Sequence, residues 1–371
     1  LIFCAFSLYT TFAKSTKKWQ ILKDNITGLT LKSVSSTRWE SRIDSVKAIR
    51  FQCANIREAL LQASDSDNDP LTSSEAKGLA NNELGEYEFL VSIVIWYDIL
   101  YAVNLVSKEL QSKDMLIDVA IEKVQGLISF FNQYRETGFS NAVEAATEIA
   151  LDMDIGTIFR KKRQIKRKRH FDENPDDSSA AAESLEDLFR RNYFIPIVDQ
   201  AISSLTTRFE QYQGYKKIFG FLFTSDALRS LDNKSLKCCC HHLGAALKRD
   251  GQSDIDADDL YVELIFLQDF IPQENKGPIE ILNFLKRHAC FPNATIAYRI
   301  LLTIPVTVAS AERSFCKLKL LKTYLRTTMT QERLNALALI ALESGMLDKI
   351  DYEYIIEDFV SKNAKRISLY K

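Results

Sequence analysis

Glycine and proline are scarce in this chain, 12 and 7 among 371 residues. That scarcity argues against the turn-dense sequence of an all-β sandwich or barrel and favours helices. Long apolar runs are missing as well. The nearest, LVSIVIWYDILYAVNLV at 90–106, is interrupted by Asp98 and Asn104. It falls short of the roughly 18 apolar residues that span a bilayer, so no membrane partner is expected. Charge of one sign has no excess: 48 Lys and Arg against 49 Asp and Glu leave a net charge of −1. Attraction to nucleic acid must then come from local patches.

Other chemistries are absent by motif. The seven cysteines, at 4, 53, 238, 239, 240, 290 and 316, lack the paired spacing of a disulfide framework, which fits a reducing compartment. There is no phosphate-cradling glycine loop and no Gly-x-Ser-x-Gly turn. The acidic runs from Asp65 and Asp254 put Pro70 and Asp259 where a calcium loop needs glycine. The first residue is Leu1, and Ser7, Tyr9 and Thr10 break the opening apolar run. A secretory leader is therefore not expected, and an internal start within a longer frame is.

What is present is a globular composition, 46% apolar and 26% charged, long enough for two or three domains. Ile43, Val46, Ile49, Cys53, Ile56 and Leu60 alternate spacings of three and four, a stripe down one helix. Ile117, Ile121, Val124, Ile128 and Phe131 repeat the pattern. Residues 83–111 are apolar nearly all round, as in a helix buried among others. Further helices are expected at 184–213, 232–249, 255–270, 279–288, 293–303, 309–326, 330–344 and 351–363. Asp65–Ser74 reads as a surface loop, and no series of strands is expected.

Several clusters invite a chemical reading. Lys161, Lys162, Arg163, Lys166, Arg167, Lys168 and Arg169 follow Arg160 in RKKRQIKRKR. Such a run neutralises DNA phosphates or serves as a nuclear import signal. Asp172, Glu173, Asp176 and Asp177 follow at once, so a self-neutralising solvated loop stands beside that reading. Cys238–Cys239–Cys240–His241–His242 resembles a metal cluster, but five consecutive helical positions point around the whole circumference and cannot converge tetrahedrally. Free thiols are expected there.

Near the C-terminus, Thr330 can cap a helix whose Leu334, Leu337, Leu339, Ile340 and Leu342 cover more than one face. Such a helix needs covering by its own domain or by another chain. Just upstream, Pro305 ends one helix, and Ser310 can cap the next. Glu312 then falls in a first turn, where the helix dipole favours its ionised form. By spacing, Phe315, Leu318, Leu321 and Leu325 form a packing stripe, and Glu312, Cys316, Lys319 and Thr323 form another.

The block IAYRILLTIPVTVASAERSFCKLKLLKTYLRTTMTQERLNALALIALE, with SSTRWESR far upstream, resembles hAT-superfamily transposases. More narrowly it is similar to the zinc-finger-MYM-type-1-like proteins derived from such elements. The resemblance implies that Glu312, in SAERSF, is the third carboxylate of an RNase H-like Asp-Asp-Glu triad. That triad holds two divalent metals which activate water or a 3′-hydroxyl. The two aspartates belong to segments preceding the equivalent of Leu1, so no cleavage is expected from this chain. No cofactor is expected for it as it stands, and Mg or Mn only for a full-length active relative. Arg38 and Trp39 match the place where the family sets an aromatic residue to stack on a flipped or hairpin base, worth ~1–3 kcal/mol. Packing of Trp39 against the stripe that starts at Ile43 is the alternative.

The resemblance further implies an all-α chain with little or no sheet. A helical body at 1–290 would match the insertion domain of the RNase H-like fold, with a mobile basic and acidic loop at about 160–182. A dimerisation region at 291–371 would carry the Glu312 helix. The expected function is homo-oligomerisation with DNA association in the nucleus. The alternative is a host-adopted interaction or repressor module that no longer binds DNA.

Overall fold

The structure is a computed structural model that describes residues 2–33, 39–66, 69–112, 115–160, 184–307, 309–323 and 328–362. The chain divides into two compact units, Leu1–Ile304 and Pro305–Lys371. The first contains α1 (Ile2–Ala13), α2 (Thr16–Asn25), α3 (Trp39–Phe51), α4 (Cys53–Asp65), α5 (Pro70–Gly78), α6 (Tyr87–Leu110) and α7 (Ile117–Asp152). It continues with α8 (Leu185–Phe189), α9 (Ile195–Phe219), α10 (Ser225–Arg229) and α11 (Asn233–Ala246). After a short hairpin, β1 (Lys248–Arg249) and β2 (Gln252–Ser253), come α12 (Ala257–Phe270), α13 (Pro278–His288) and α14 (Pro292–Thr303). The described residues are all-α apart from that hairpin. Its turn uses Asp250 (φ 51°) and Gly251 (φ 85°), and Asp-Gly is the pair that tolerates two successive positive φ angles.

The helix α6 is the centre of the first core. Leu90, Val91, Ile93, Val94, Ile95 and Leu100 are all buried, as its all-round apolar sequence requires. By length and composition it could cross a membrane. Here it packs between α3 and α7. Of the expected α7 stripe, Ile117, Ile121, Val124 and Phe131 are buried, whereas Ile128 is only half-buried and its neighbour Leu127 is buried instead; α9 lies against the same helix. A chain of aromatic contacts ties the ends of these helices together. Tyr87 meets Phe159 at 5.2 Å, Phe159 meets Phe189 at 5.3 Å, and Phe139 meets Phe194 at 5.5 Å. Each such pair contributes about 0.5–1.5 kcal/mol beyond its buried area.

A partly buried polar cluster borders this apolar seam. Arg50 Nη1 lies 2.7 Å from Asp98 Oδ1, and the Tyr134 hydroxyl donates to Asp98 Oδ2 at 3.3 Å. Burial pushes the Asp98 carboxyl above the ordinary range, and Arg50 and Tyr134 pull it back only in part. The Arg50 guanidinium also lies over the Tyr97 ring, 4.5 Å from its centroid.

A second core lies under α11–α14. Leu236, Cys240, Leu243, Leu260, Leu264, Leu285 and Tyr298 are fully buried there. Glu263 on α12 ties α14 to it: its carboxylate accepts from Asn293 N at 3.1 Å, Asn293 Nδ2 at 2.9 Å and Ala294 N at 2.8 Å. These amides open α14, where backbone donors lack helical partners.

Two expectations need correction. The 43–60 stripe is not one helix, although all six of its residues are buried. The chain breaks at Gln52 (φ −137°, ψ 31°), whose amide donates to Leu29 O at 2.6 Å and accepts from Thr27 N at 3.0 Å. Fixing that upstream loop outweighs continuing the helix. The segment 65–74 is only partly loop, because α5 begins at Pro70. Asp69 caps it, accepting from Leu71 N and Thr72 N, and proline is favoured at the first helical position.

Candidate self-association surface

The second unit contains α15 (Ala309–Leu321), α16 (Gln331–Leu342), α17 (Ser344–Leu347) and α18 (Tyr352–Lys362). Thr330 caps α16 as its sequence predicts, accepting from Arg333 N at 3.4 Å. For α15 the described residues begin at Ala309, and the side chain of Ser310 lies outside what the structure describes. The two helices pack on each other. They are covered along Ser314, Leu318 and Leu321 on α15 and along Leu334, Leu337, Ala338 and Ala341 on α16. Lys317 Nζ donates to Ala341 O at 2.8 Å, placing a cation at the carbonyl end of α16.

The five apolar residues expected at an interface therefore divide. Leu334 is buried and Leu337 half-buried, while Leu339 (64% exposed), Ile340 (50%) and Leu342 (37%) face outward. Fully burying such a side chain is worth roughly 1.5–3 kcal/mol, and the part still exposed here leaves a fraction of that to be gained at each position when something meets it. The sequence reading missed further exposed apolar residues. Phe315 and Leu320 are exposed on α15, and Tyr354, Ile355 and Ile356 on α18. The signal for α18 was its apolar spacing, which predicted a helix but carried no information on what covers it.

Glu312 lies in the first turn of α15 and is exposed. Phe315, read from spacing as part of the packing stripe, is instead 68% exposed. It shares the outward face with Glu312, Cys316 and Lys319, one turn on at a time. Leu325 lies outside the described residues. Among the described residues, no group of three or more His, Cys, Asp or Glu is placed to hold a metal ion. A two-metal centre needs several carboxylates bridging both ions, and a single exposed Glu312 does not fit it.

Trp39 opens α3, and Arg38 lies outside the described residues, as do Lys161, Lys162, Arg163, Lys166, Arg167, Lys168 and Arg169. The points where the chain leaves and re-enters around the basic run are described. Arg160 pairs with Glu86, and its backbone N–H donates to Glu88 Oε1 at 3.0 Å. The run therefore departs from the first turn of α6. On the far side Ser184 caps α8, and the Phe159–Phe189 contact holds both flanks together.

The Cys238–His242 stretch winds around α11. Cys238 is exposed, Cys239 half-buried and Cys240 buried. His241 Nε2 lies 3.3 Å from Asp258, beside Lys237 at 3.2 Å from the same carboxylate. Burial raises the Cys240 thiol to about 12, so it stays protonated and packs as a small apolar group.

Residues 261–346 match the family described as the hAT family C-terminal dimerisation region. The match begins in α12 and runs through α16 into α17. Two curated proteins, from Homo sapiens and Mus musculus, are both named 52 kDa repressor of the inhibitor of the protein kinase. Each is 23% identical to this chain, over 352 and 353 residues respectively. The alignments take in 90% and 89% of this chain but 43% of either relative, so the chain spans less than half of their length. No solved structure matches.

Proposed function

Because this chain carries the C-terminal dimerisation region of the hAT family, we propose that it acts by self-association through its second unit, in the nucleus and in contact with DNA. The observation that carries the first part is the outward set Leu339, Ile340 and Leu342, lying inside the matched region yet left in water. A symmetric pair covers such a patch by placing it against its own copy. DNA contact rests on Arg38, Trp39 and the 161–169 basic run, which supply stacking and phosphate neutralisation. Strand cleavage would need two further carboxylates beside Glu312. In a longer relative that supplies them, Mg or Mn would be the metal.

Sedimentation of the 371-residue chain tests the association. Leu339→Lys with Ile340→Lys is expected to yield folded monomer, because both positions are exposed. An unchanged oligomer would overturn the reading. For DNA, salt-sensitive binding to a duplex or hairpin is expected, weakened by Trp39→Ala or by neutralising the 161–169 run. Absence of binding at low salt would favour a second reading, a protein-interaction or repressor module. That reading draws its support from the names of the two relatives.

A further inference from the structure

The outer face of α12 is apolar where a surface helix is ordinarily polar. On its inner side Leu260, Leu264 and Leu267 are fully buried, where the helix packs on α11 and α14. On the opposite side Val262 (50% exposed), Phe266 (56%) and Phe270 (63%) follow one another at intervals of four. They form a continuous stripe about two turns long.

Charge around the stripe decides what fits it. From Asp250 to Glu274 the chain holds eight Asp and Glu and no Lys or Arg. Three of the acids on or beside α12 are already engaged. Asp256 caps the helix, Asp258 pairs with Lys237 and lies against His241, and Glu263 holds the start of α14. Asp259 and Asp269 are not engaged in this way. Both are exposed, and neither forms an ion pair among the described residues. They stand on opposite edges of the stripe, Asp259 one turn before Val262 and Asp269 one turn after Phe266. Two cations that reach α12 are committed: Lys237 to Asp258, and Arg229 to Asp226 and the Ile271 carbonyl.

The stripe falls inside the 261–346 match, yet its border disfavours a second copy as occupant. Two such faces brought together set Asp259 and Asp269 against their own copies, and DNA phosphates are repelled in the same way. We propose that the α12 stripe docks an amphipathic helix of another protein, with apolar residues at intervals of three and four and Lys or Arg at its edges. Phe266 and Phe270 anchor that helix, and Asp259 and Asp269 select its charge. The Leu339–Ile340 contact plays no part in it.

The test uses the 371-residue chain and two labelled helical peptides of one pattern, one built from Leu and Lys and the other from Leu and Glu. Fluorescence anisotropy is expected to show the Leu–Lys peptide binding at least about tenfold more tightly. Phe266→Ser with Phe270→Ser should weaken that binding by about tenfold or more. Asp259→Lys with Asp269→Lys should weaken the Leu–Lys peptide and strengthen the Leu–Glu one. These positions are exposed, so both variants are expected to keep the wild-type melting temperature and sedimentation. Equal binding of the two peptides, no binding of either, or binding that neither variant changes would overturn the proposal. So would weaker self-association of either variant, which would give the stripe to a second copy.

Discussion

A Cβ on Gly138 would sit 2.5 Å from ring carbons of Tyr134, one turn earlier on α7. The ring is held in place, with its hydroxyl on Asp98, a stacked contact to Phe130 at 5.8 Å and a tilted one to Phe194 at 5.5 Å. Alanine gains up to ~1 kcal/mol of helix propensity over glycine. Overpacking a fixed neighbour costs about 1–3 kcal/mol. Gly138→Ala is therefore expected to lower stability, read as an earlier midpoint in urea. Gly126, on the same helix, has nothing within 4 Å of that position, and Gly126→Ala is expected to move the midpoint the other way.

Replacing Arg50 by methionine keeps the stem and removes the charge opposite Asp98. Losing a hydrogen bond to a charged group costs roughly 2 kcal/mol at neutral pH. The sign with pH follows from the raised Asp98 carboxyl. Its folded form binds the proton more tightly than the unfolded chain does, so the cost of burying the carboxylate is full above the raised value and relieved as pH falls below it. Without Arg50 the carboxyl rises further. The deficit of Arg50→Met against wild type should shrink on mild acidification. A deficit that stays constant or grows would contradict this assignment.

Glu263→Ala removes three acceptors at the start of α14. A loss of about 2–3 kcal/mol is expected. Hydrogen exchange should locate it, with the amides of Asn293 and Ala294 becoming fast while those at the centre of α6 remain protected.

The cysteines should separate by burial under a thiol-alkylating reagent. Cys238, Cys290 and Cys316 are exposed and are expected to react in the native state. Burial raises Cys4, Cys53 and Cys240 to about 12, so they should stay unmodified even at mildly alkaline pH until the protein is unfolded. Mass spectrometry of native and denatured samples distinguishes the two sets.

Glu312→Gln is expected to leave the melting temperature unchanged, because the carboxylate is exposed. A large drop would mean that Glu312 carries structural contacts.

The helical layout was legible because apolar spacing of three and four records burial directly, as at Ile117–Phe131 and across the 83–111 core helix. The break at Gln52 was not, since its cause is a loop more than twenty residues upstream that its side chain secures. The Asp69–Pro70 start of α5 was legible in principle, as a cap followed by a first-turn proline, but the run of small polar residues around it masked the signal. At the candidate surface, Thr330 and the α16 helix followed from sequence. The inward side of α16 did not, because spacing alone does not say which of two apolar faces meets a neighbour. The misassigned Phe315 has the same origin: one turn of α15 holds apolar residues on both sides.

The apolar skin of the second unit bears on how the chain behaves when dilute. A surface completed by another copy is stabilised by mass action, so its melting temperature climbs with protein concentration while that of the Leu1–Ile304 unit holds still. Transitions that coincide at one concentration separate at another. On the proposed self-association, the second unit is then also the first to unravel when the chain is scarce, which would couple its survival to its own abundance.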